Sequence, residues 1–274
     1  MQSVQKAFQA FVDRRKPLRV TALAGAGLSA ASGIPTFRGA GGLWRTFDAM
    51  SLATPEAFEA DPSRAWLFYE YRRRKAAASS PNAAHLALAQ LAARQPEFTL
   101  ITQNVDGLSG RAMQEEASAR ILEMHGSIFR VKCTRCQDTH VNTKMPICDA
   151  LADAEFYIDP SVPEPKIPAE ELPRCERVRR GKSCGGLLRP GVVWFGEMPE
   201  HLDEIDDVLR RTDLLLVVGT SSVVYPAASF AARAQAGGAK IAVFNLEAAP
   251  GDEEADFLFR GPCEESLPKA LASV

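Results

Sequence analysis

At 274 residues the chain is long enough for one large core, or for one domain carrying a smaller module. With 46% apolar and 24% charged residues and a formal net charge of −2, it reads as an ordinary globular protein with no electrostatic reason to bind nucleic acid. No apolar stretch approaches the roughly 18 residues that span a bilayer and no apolar signal core opens the chain, so no membrane partner and an intracellular location are expected.

The first segment, Met1 to Arg19, is basic and amphipathic. Asp13 and the short run into the next element predict a helix that caps the fold rather than a removable transit peptide. Val20–Ala24, Phe98–Thr102, Leu214–Gly219 and Ile241–Asn245 are apolar runs ending in small or polar residues, which predicts buried parallel strands. Between the first two, Thr54-Pro-Glu56 carries helix-start signals, and Ser63–Lys75 and Ala83–Ala93 have helical spacing or composition. Asp203–Arg211 reads as a helix before the third strand. The expected fold class is α/β: a doubly wound parallel, Rossmann-like sheet with a helical insertion and a smaller module rich in paired cysteines. The expected boundaries are 1–39, 86–128 and 190–274 for the Rossmann-like domain, 40–85 for the insertion and 129–189 for the module.

The first strand runs into Gly25-Ala-Gly27, a turn that lets backbone amides approach a pyrophosphate, aided by a helix N-terminus. A plain turn looks the same, so context decides. A hydride-transferring dehydrogenase needs an acidic residue at a second strand end about 20 residues on. The nearest candidate, Asp48, does not read as a strand end, which disfavours that class. Instead Ser32-Gly-Ile-Pro-Thr-Phe-Arg-Gly39 reads as a cover over a bound ligand. Gln103-Asn-Val-Asp106, Gly219-Thr-Ser-Ser222 and Asn245-Leu-Glu247 follow other strand ends. Each alone is equally a hydrogen-bonded turn, yet together they converge on the crevice where open α/β sheets bind ligands.

Six cysteines occur. Cys133, Cys136, Cys175 and Cys184 can supply four thiolates to a closed, structural zinc, the loop Glu176–Ser183 bulging outward. Cys148 and Cys263 are left over. Among the four histidines, His125 in Leu122-Glu-Met-His-Gly-Ser127 is polar and glycine-flanked, placed to face the crevice. Tyr69 and Arg72 are three apart in a helical segment and share a face, where a phenol and a guanidinium can bind a carboxylate. The run Arg72-Arg-Arg-Lys75 is equally a solvated basic surface.

Gly25-Ala-Gly-Leu-Ser29, Gly33-Ile-Pro-Thr-Phe-Arg38, Thr102-Gln-Asn-Val-Asp106, His125-Gly126, the cysteine pairs, Arg189-Pro-Gly-Val-Val-Trp-Phe-Gly-Glu197, Gly219-Thr-Ser221 and Asn245-Leu-Glu247 together resemble the sirtuins, NAD-dependent protein lysine deacylases. The resemblance runs in order over about residues 18 to 272. Pro35–Gly42, Phe68-Tyr-Glu-Tyr-Arg72, Pro146-Ile-Cys148 and Ser221–Ala227 resemble the class that removes succinyl, malonyl and glutaryl groups.

The resemblance implies NAD and a structural zinc as cofactors. It assigns Gly25, Ala26, Gly27 and Ser29 to the pyrophosphate turn and Thr36, Phe37, Arg38 and Trp44 to the cofactor loop region. Gln103, Asn104, Val105 and Asp106 fall around the nicotinamide ribose, and Gly219, Thr220, Ser221, Asn245, Leu246, Glu247 and Cys263 on the adenosine side. His125 becomes the general base, with Asn104 beside it in the catalytic set. Val192, Trp194, Phe195, Gly196 and Glu197 become a strand-like floor for the substrate peptide. Tyr69 and Arg72 become the acyl-carboxylate readers, with Ala40 leaving room for a longer chain. The expected partners are acyl-lysine proteins, the expected state is a monomer, and mitochondria are suggested as the compartment. Deacetylation of broad range, mono-ADP-ribosyl transfer and a non-catalytic NAD-sensing scaffold are the alternatives. Thr36, where the family commonly has Asp, also occurs in the desuccinylase-type class, whereas Ser109 replaces a common His and bears on local packing.

Overall fold

The computed structural model describes residues 2–14, 17–36, 43–114, 119–179, 181–221, 224–272 and 274. Helix α1 (Gln2–Arg14) leads into β1 (Val20–Ala24), buried at every position, and then into a single helical turn, α2 (Gly27–Ala30). A two-residue hairpin of β2 (Leu43–Trp44) and β3 (Phe47–Asp48) precedes the short helices α3 (Ala49–Leu52) and α4 (Pro55–Ala60) and the long α5 (Pro62–Ala78). Each of these helices starts where the side chain of Asp48, Thr54 or Asp61 accepts from an amide of the first turn, and proline opens the last two. Asp48 thus closes the small hairpin and caps α3, and it does not end a strand of the main parallel sheet.

Next come α6 (Ala83–Arg94), β4 (Thr99–Thr102), α7 (Leu108–Ala112) and β5 (Arg120–Glu123). The small module follows as β6 (Gly126–Cys133), β7 (Thr139–Val141), the hairpin β8 (Val178–Arg179) and β9 (Lys182–Ser183), and β10 (Leu188–Val192). The chain returns through α8 (Leu202–Arg211), β11 (Leu214–Val218), α9 (Phe230–Ala236), β12 (Lys240–Asn245), β13 (Phe257–Arg260) and α10 (Cys263–Leu271).

Six strands form one parallel sheet in the order β13-β12-β11-β1-β4-β5. Counted in chain order, that is the doubly wound arrangement, and its direction reverses between β1 and β11. Alternate strand residues feed two faces. Val20, Ala22, Leu214, Leu216 and Val218 pack under α1, α6 and α10, while Leu23, Leu215, Val217 and Val243 pack under α8 and α9. Phe8 of α1 sets its ring edge-on against Phe257 and Phe259 of β13 at 5.3 and 5.7 Å, so the first helix covers that end of the sheet.

All four expected strands lie in the sheet, and the structure adds β5 and β13. Both occupy sheet edges and bury only part of their residues, so neither reads as a continuous apolar run. The third strand stops at Val218, one residue early, because Gly219 turns to φ +58°.

A third hydrophobic cluster joins what the sequence separates. Trp66, Leu67 and Phe68 of α5 pack with Ile128, Val131, Leu188 and Val192 of the small module, so the insertion and the module share one core. Trp66 Nε1 also donates to Leu188 O at 2.9 Å. Arg73, 1% exposed, reaches across the same boundary and donates to the carbonyls of Ile128, Asn142 and Lys144 at 2.7 to 3.0 Å. Its charge is balanced by fully buried Glu70 at 3.3 Å. The substitution Arg73→Ala removes these bonds and leaves Glu70 with Arg74 and the Ile147 amide, and it is expected to cost about 3 kcal/mol of stability. A urea midpoint unchanged from the parent would contradict this.

Candidate active site

The ends of β1 and β11 approach so closely that side chains are excluded. A Cβ on Gly27 would sit 2.7 Å from Gly219 Cα, and one on Gly25 would sit 2.7 Å from Gly219 O. The glycines are required for this contact, with Gly27 N donating to Gly219 O at 2.8 Å. The expected supply of amides is smaller than the motif suggests. The amides of Gly25, Gly27, Leu28 and Ser29 are bonded within the fold, which leaves Ala26 N–H without a partner among the described residues. Helix α2 is one turn long, so its dipole adds little.

The polar stretches after the strands do meet here. Asn104 Nδ2 donates to Gly25 O at 3.0 Å and to Ser29 Oγ at 3.2 Å, tying β4 to the glycine turn. Gln103 Nε2 donates to Thr220 Oγ1 at 3.2 Å, and Asn245 Nδ2 donates to Thr220 O at 3.0 Å. Cys263, at the start of α10, places its thiol 3.6 Å from Gly27 O, where burial pushes it up to about 11. Ser221 is partly buried at the same strand end, whereas Leu246 and Glu247 are exposed beyond β12.

His125 follows β5, its Nδ1 3.1 Å from Gln103 O. A carbonyl only accepts, so Nδ1 carries the proton and Nε2 keeps its lone pair. Burial lowers the imidazole below its usual value, against the bond to Gln103 O, which raises it. Gly126, at φ +75°, lets the chain pass Gly191, whose carbonyl oxygen a Cβ would meet at 2.4 Å. His125 O in turn accepts from Val193 N at 2.8 Å, which joins the histidine to the expected peptide floor.

That floor differs from the expectation. The strand ends at Val192, and Phe195 and Gly196 begin a turn in which Glu197 N donates to Trp194 O. Trp194 is buried, and Glu197 accepts two bonds from Arg189, so neither side chain lines an open surface; Phe195 is exposed. Trp44 likewise lies in the third core against Phe68, its indole nitrogen buried without a partner among the described residues. Thr36 is described and partly buried, whereas Phe37, Arg38 and Ala40 lie outside the described residues.

The basic run of α5 is not a solvated face. Tyr69 is buried, Arg72 half-buried, Arg73 buried, Arg74 paired with Glu70, and only Lys75 exposed. Arg72 lines a small pocket with Ile34, Pro35, Val105, Asp106 and Ile128. Burial opposes its charge, and Tyr69 and Asp106 support it. Asp106 also caps α7 through Leu108 N at 2.8 Å.

The sequence reading missed His85. It caps α6 with Asn82, receiving Asn82 N on Nδ1 at 3.3 Å, so Nε2 holds the proton and faces Ser29 Oγ at 3.4 Å. Burial pushes it down to about 4, which keeps it neutral. The signal was present: Asn three residues before His at the head of an alanine-rich helix is a capping-box pattern.

The four cysteine sulfurs all lie within 4.8 Å of one another, with Cys133 to Cys184 at 3.7 Å and Cys136 to Cys175 at 3.8 Å. A tetrahedron with Zn–S bonds near 2.3 Å has edges of about 3.8 Å, so the set fits zinc and leaves no open position. The long spacing from Cys175 to Cys184 is absorbed by the β8–β9 hairpin, closed by Cys184 N donating to Arg177 O at 2.8 Å.

The family model for the Sir2 family matches residues 25–226. The chain belongs to the Sir2 family. It is 49% identical over 263 residues to the mitochondrial NAD-dependent protein deacylase sirtuin-5 of Canis lupus familiaris, covering 94% of this chain and 82% of that protein. It is 42% identical to an NAD-dependent protein deacylase of Pyrococcus furiosus, covering 92% of each. A solved Sir2 homologue in complex with NAD superposes with a TM-score of 0.78 at 36% identity, covering 99% of this chain and 93% of that one. As in other sirtuins the crevice takes NAD, and the close-packed glycine ends, with the Ala26 N–H beside them, fit it.

Gly27→Ala drives a Cβ into Gly219 and is expected to weaken NAD binding more than tenfold with the fold retained. Calorimetric titration of the variant checks this, and parental affinity would show that the two strand ends do not form the cradle.

Proposed function

We propose that this sirtuin is an NAD-dependent protein lysine deacylase that prefers acidic acyl groups: succinyl, malonyl or glutaryl. Family membership and relatives named NAD-dependent protein deacylases support the deacylase itself, with acyl-lysine proteins as substrates. The observation that carries the acyl preference is the half-buried Arg72 guanidinium beside the Tyr69 phenol on one face of α5, at the edge of the crevice. A carboxylate on the acyl chain can take a charge-assisted bond there, whereas an acetyl group offers the guanidinium no such bond in a partly dry pocket.

NAD, when bound, supplies the ribose carbon that receives the acyl oxygen as nicotinamide departs. The chain's own groups do the rest. His125 Nε2, fixed as the acceptor by the bond from Nδ1 to Gln103 O, takes the proton of a ribose hydroxyl. Asn104, held on Gly25 O and Ser29 Oγ, shapes the ribose site, and neutral His85 braces Ser29 from behind. The backbone of Val192 and Val193 offers an edge to the substrate peptide. Because relatives 48 to 49% identical to it are named mitochondrial, a mitochondrial location is part of the reading.

Purified protein with NAD and matched succinyl-, acetyl- and unmodified-lysine peptides tests it by peptide mass and nicotinamide release. Succinyl loss should dominate, vanish with His125→Ala and fall about a hundredfold with Arg72→Met, the worth of one buried charge-assisted pair. Equal removal of acetyl and succinyl would reduce Tyr69 and Arg72 to a helix surface, and NAD binding without turnover would favour a scaffold.

The base must be neutral to accept a proton, and burial lowers its pKa. The acid limb of the kcat/KM profile is therefore expected below the ordinary histidine value of 6.5. A limb at or above that value would remove His125 as the buried base.

A further inference from the structure

Tyr69 and Trp194 are each 3% exposed, and Trp194 Nε1 lies 2.8 Å from Tyr69 Oη. An indole N–H has no lone pair and can only donate, so the phenol oxygen is the acceptor. The phenol proton must then point elsewhere, and Tyr69 makes no second hydrogen bond among the described residues. Burial, opposed by Arg72 and Trp194, pushes the phenol up to about 12, so it keeps that proton at neutral pH.

Trp194 is itself held on three sides. The Arg189 guanidinium stacks 3.4 Å from its ring centre, and Phe58 packs at 5.3 Å. Glu197 receives Arg189 at 2.6 and 2.8 Å and Trp194 N at 2.9 Å, which locks the turn that carries the indole.

We infer that Trp194, braced by Arg189 and Glu197, is a positioning residue that makes the Tyr69 hydroxyl a dedicated donor for the acyl carboxylate of the substrate. The inference rests on the acidic-acyl reading above and deepens it. Without the indole, the phenol oxygen can act as donor or acceptor and its proton has no preferred direction. With it, the hydroxyl offers one hydrogen beside a guanidinium, a pair of donors that suits a carboxylate and repels a second donor. The device also ties the turn after β10, where the peptide backbone would lie, to the helix that reads the acyl tip.

A double-mutant cycle tests this: wild type, Tyr69→Phe, Trp194→Phe and the double variant, each with succinyl- and acetyl-lysine peptides of one sequence. Trp194→Phe should raise KM for the succinyl peptide about fivefold more than for the acetyl peptide, with kcat changing less than KM. In the Tyr69→Phe background it should add nothing. Equal losses on both peptides, or a loss that adds fully to that of Tyr69→Phe, would overturn the positioning role while leaving the succinyl preference of the wild type intact. A wild type with no succinyl preference would overturn the acyl reading and this inference together.

Should Trp194→Phe fail to fold, the assigned indole N–H resonance of Trp194 decides. It should move upfield in Tyr69→Phe, and downfield in the wild type on adding succinyl peptide, since a phenol that donates becomes a better acceptor. A resonance indifferent to both would overturn the inference.

Discussion

Everything in the crevice depends on how closely two strand ends can approach. The reversal of strand order between β1 and β11 opens the sheet at one place, and Gly27 and Gly219 let the two backbones close over it with no side chain between them. That contact uses up most of the local amides, so the cradle owes its shape to packing as much as to free donors. It also sets the distances over which Asn104, Gln103 and Asn245 can reach from neighbouring strands to the same turn. A larger residue at either end would separate all of them at once.

Two histidines, His85 buried and His125 partly buried, show how the surroundings divide the labour of one side chain. His125 gives its Nδ1 proton to a carbonyl and keeps a basic Nε2, while His85 takes an amide on Nδ1 and keeps its proton on Nε2. Burial lowers both, His85 much further, to about 4. The first is suited to accept a proton near neutrality, and the second to remain a fixed donor to Ser29. Neither assignment follows from the residue type, because both come from which backbone group the ring meets.

Helix α5 works on two faces. Trp66, Phe68, Glu70 and Arg73 fasten it to the small module, and the zinc-fitting cysteines fold the far side of that same module. Arg72 lines the pocket beside Val105 and Asp106, and Tyr69, buried in the shared core, reaches the turn after β10 through Trp194. The proposed acyl pocket therefore stands on the module's integrity, although no cysteine lines it. A module with so few apolar residues of its own shares the core of the helices, which is why the insertion and the module act as a single support.

Much of this was legible in the chain itself. Apolar runs of five residues placed the four central strands, because strands buried on both faces leave no polar alternation, and the glycines, the paired cysteines and His125-Gly126 marked the turns that chemistry requires. The edge strands β5 and β13 were not legible, since half-buried strands resemble loops. Nor was the fate of the charges: Arg72, Arg73 and Arg74 read alike in sequence, and only packing made one a partner of carbonyls, one a partner of Glu70 and one a wall of the crevice. The bond from Trp194 to Tyr69 spans 125 residues, and no local pattern encodes it. Sequence alone placed the four central strands and the cysteine set, because these depend on periodicity and spacing, and it pointed to the reactive groups only through the resemblance of its motifs to a family. Tertiary structure alone decided tautomers, buried charge partners and the direction of each hydrogen bond, because those depend on which distant backbone arrives alongside.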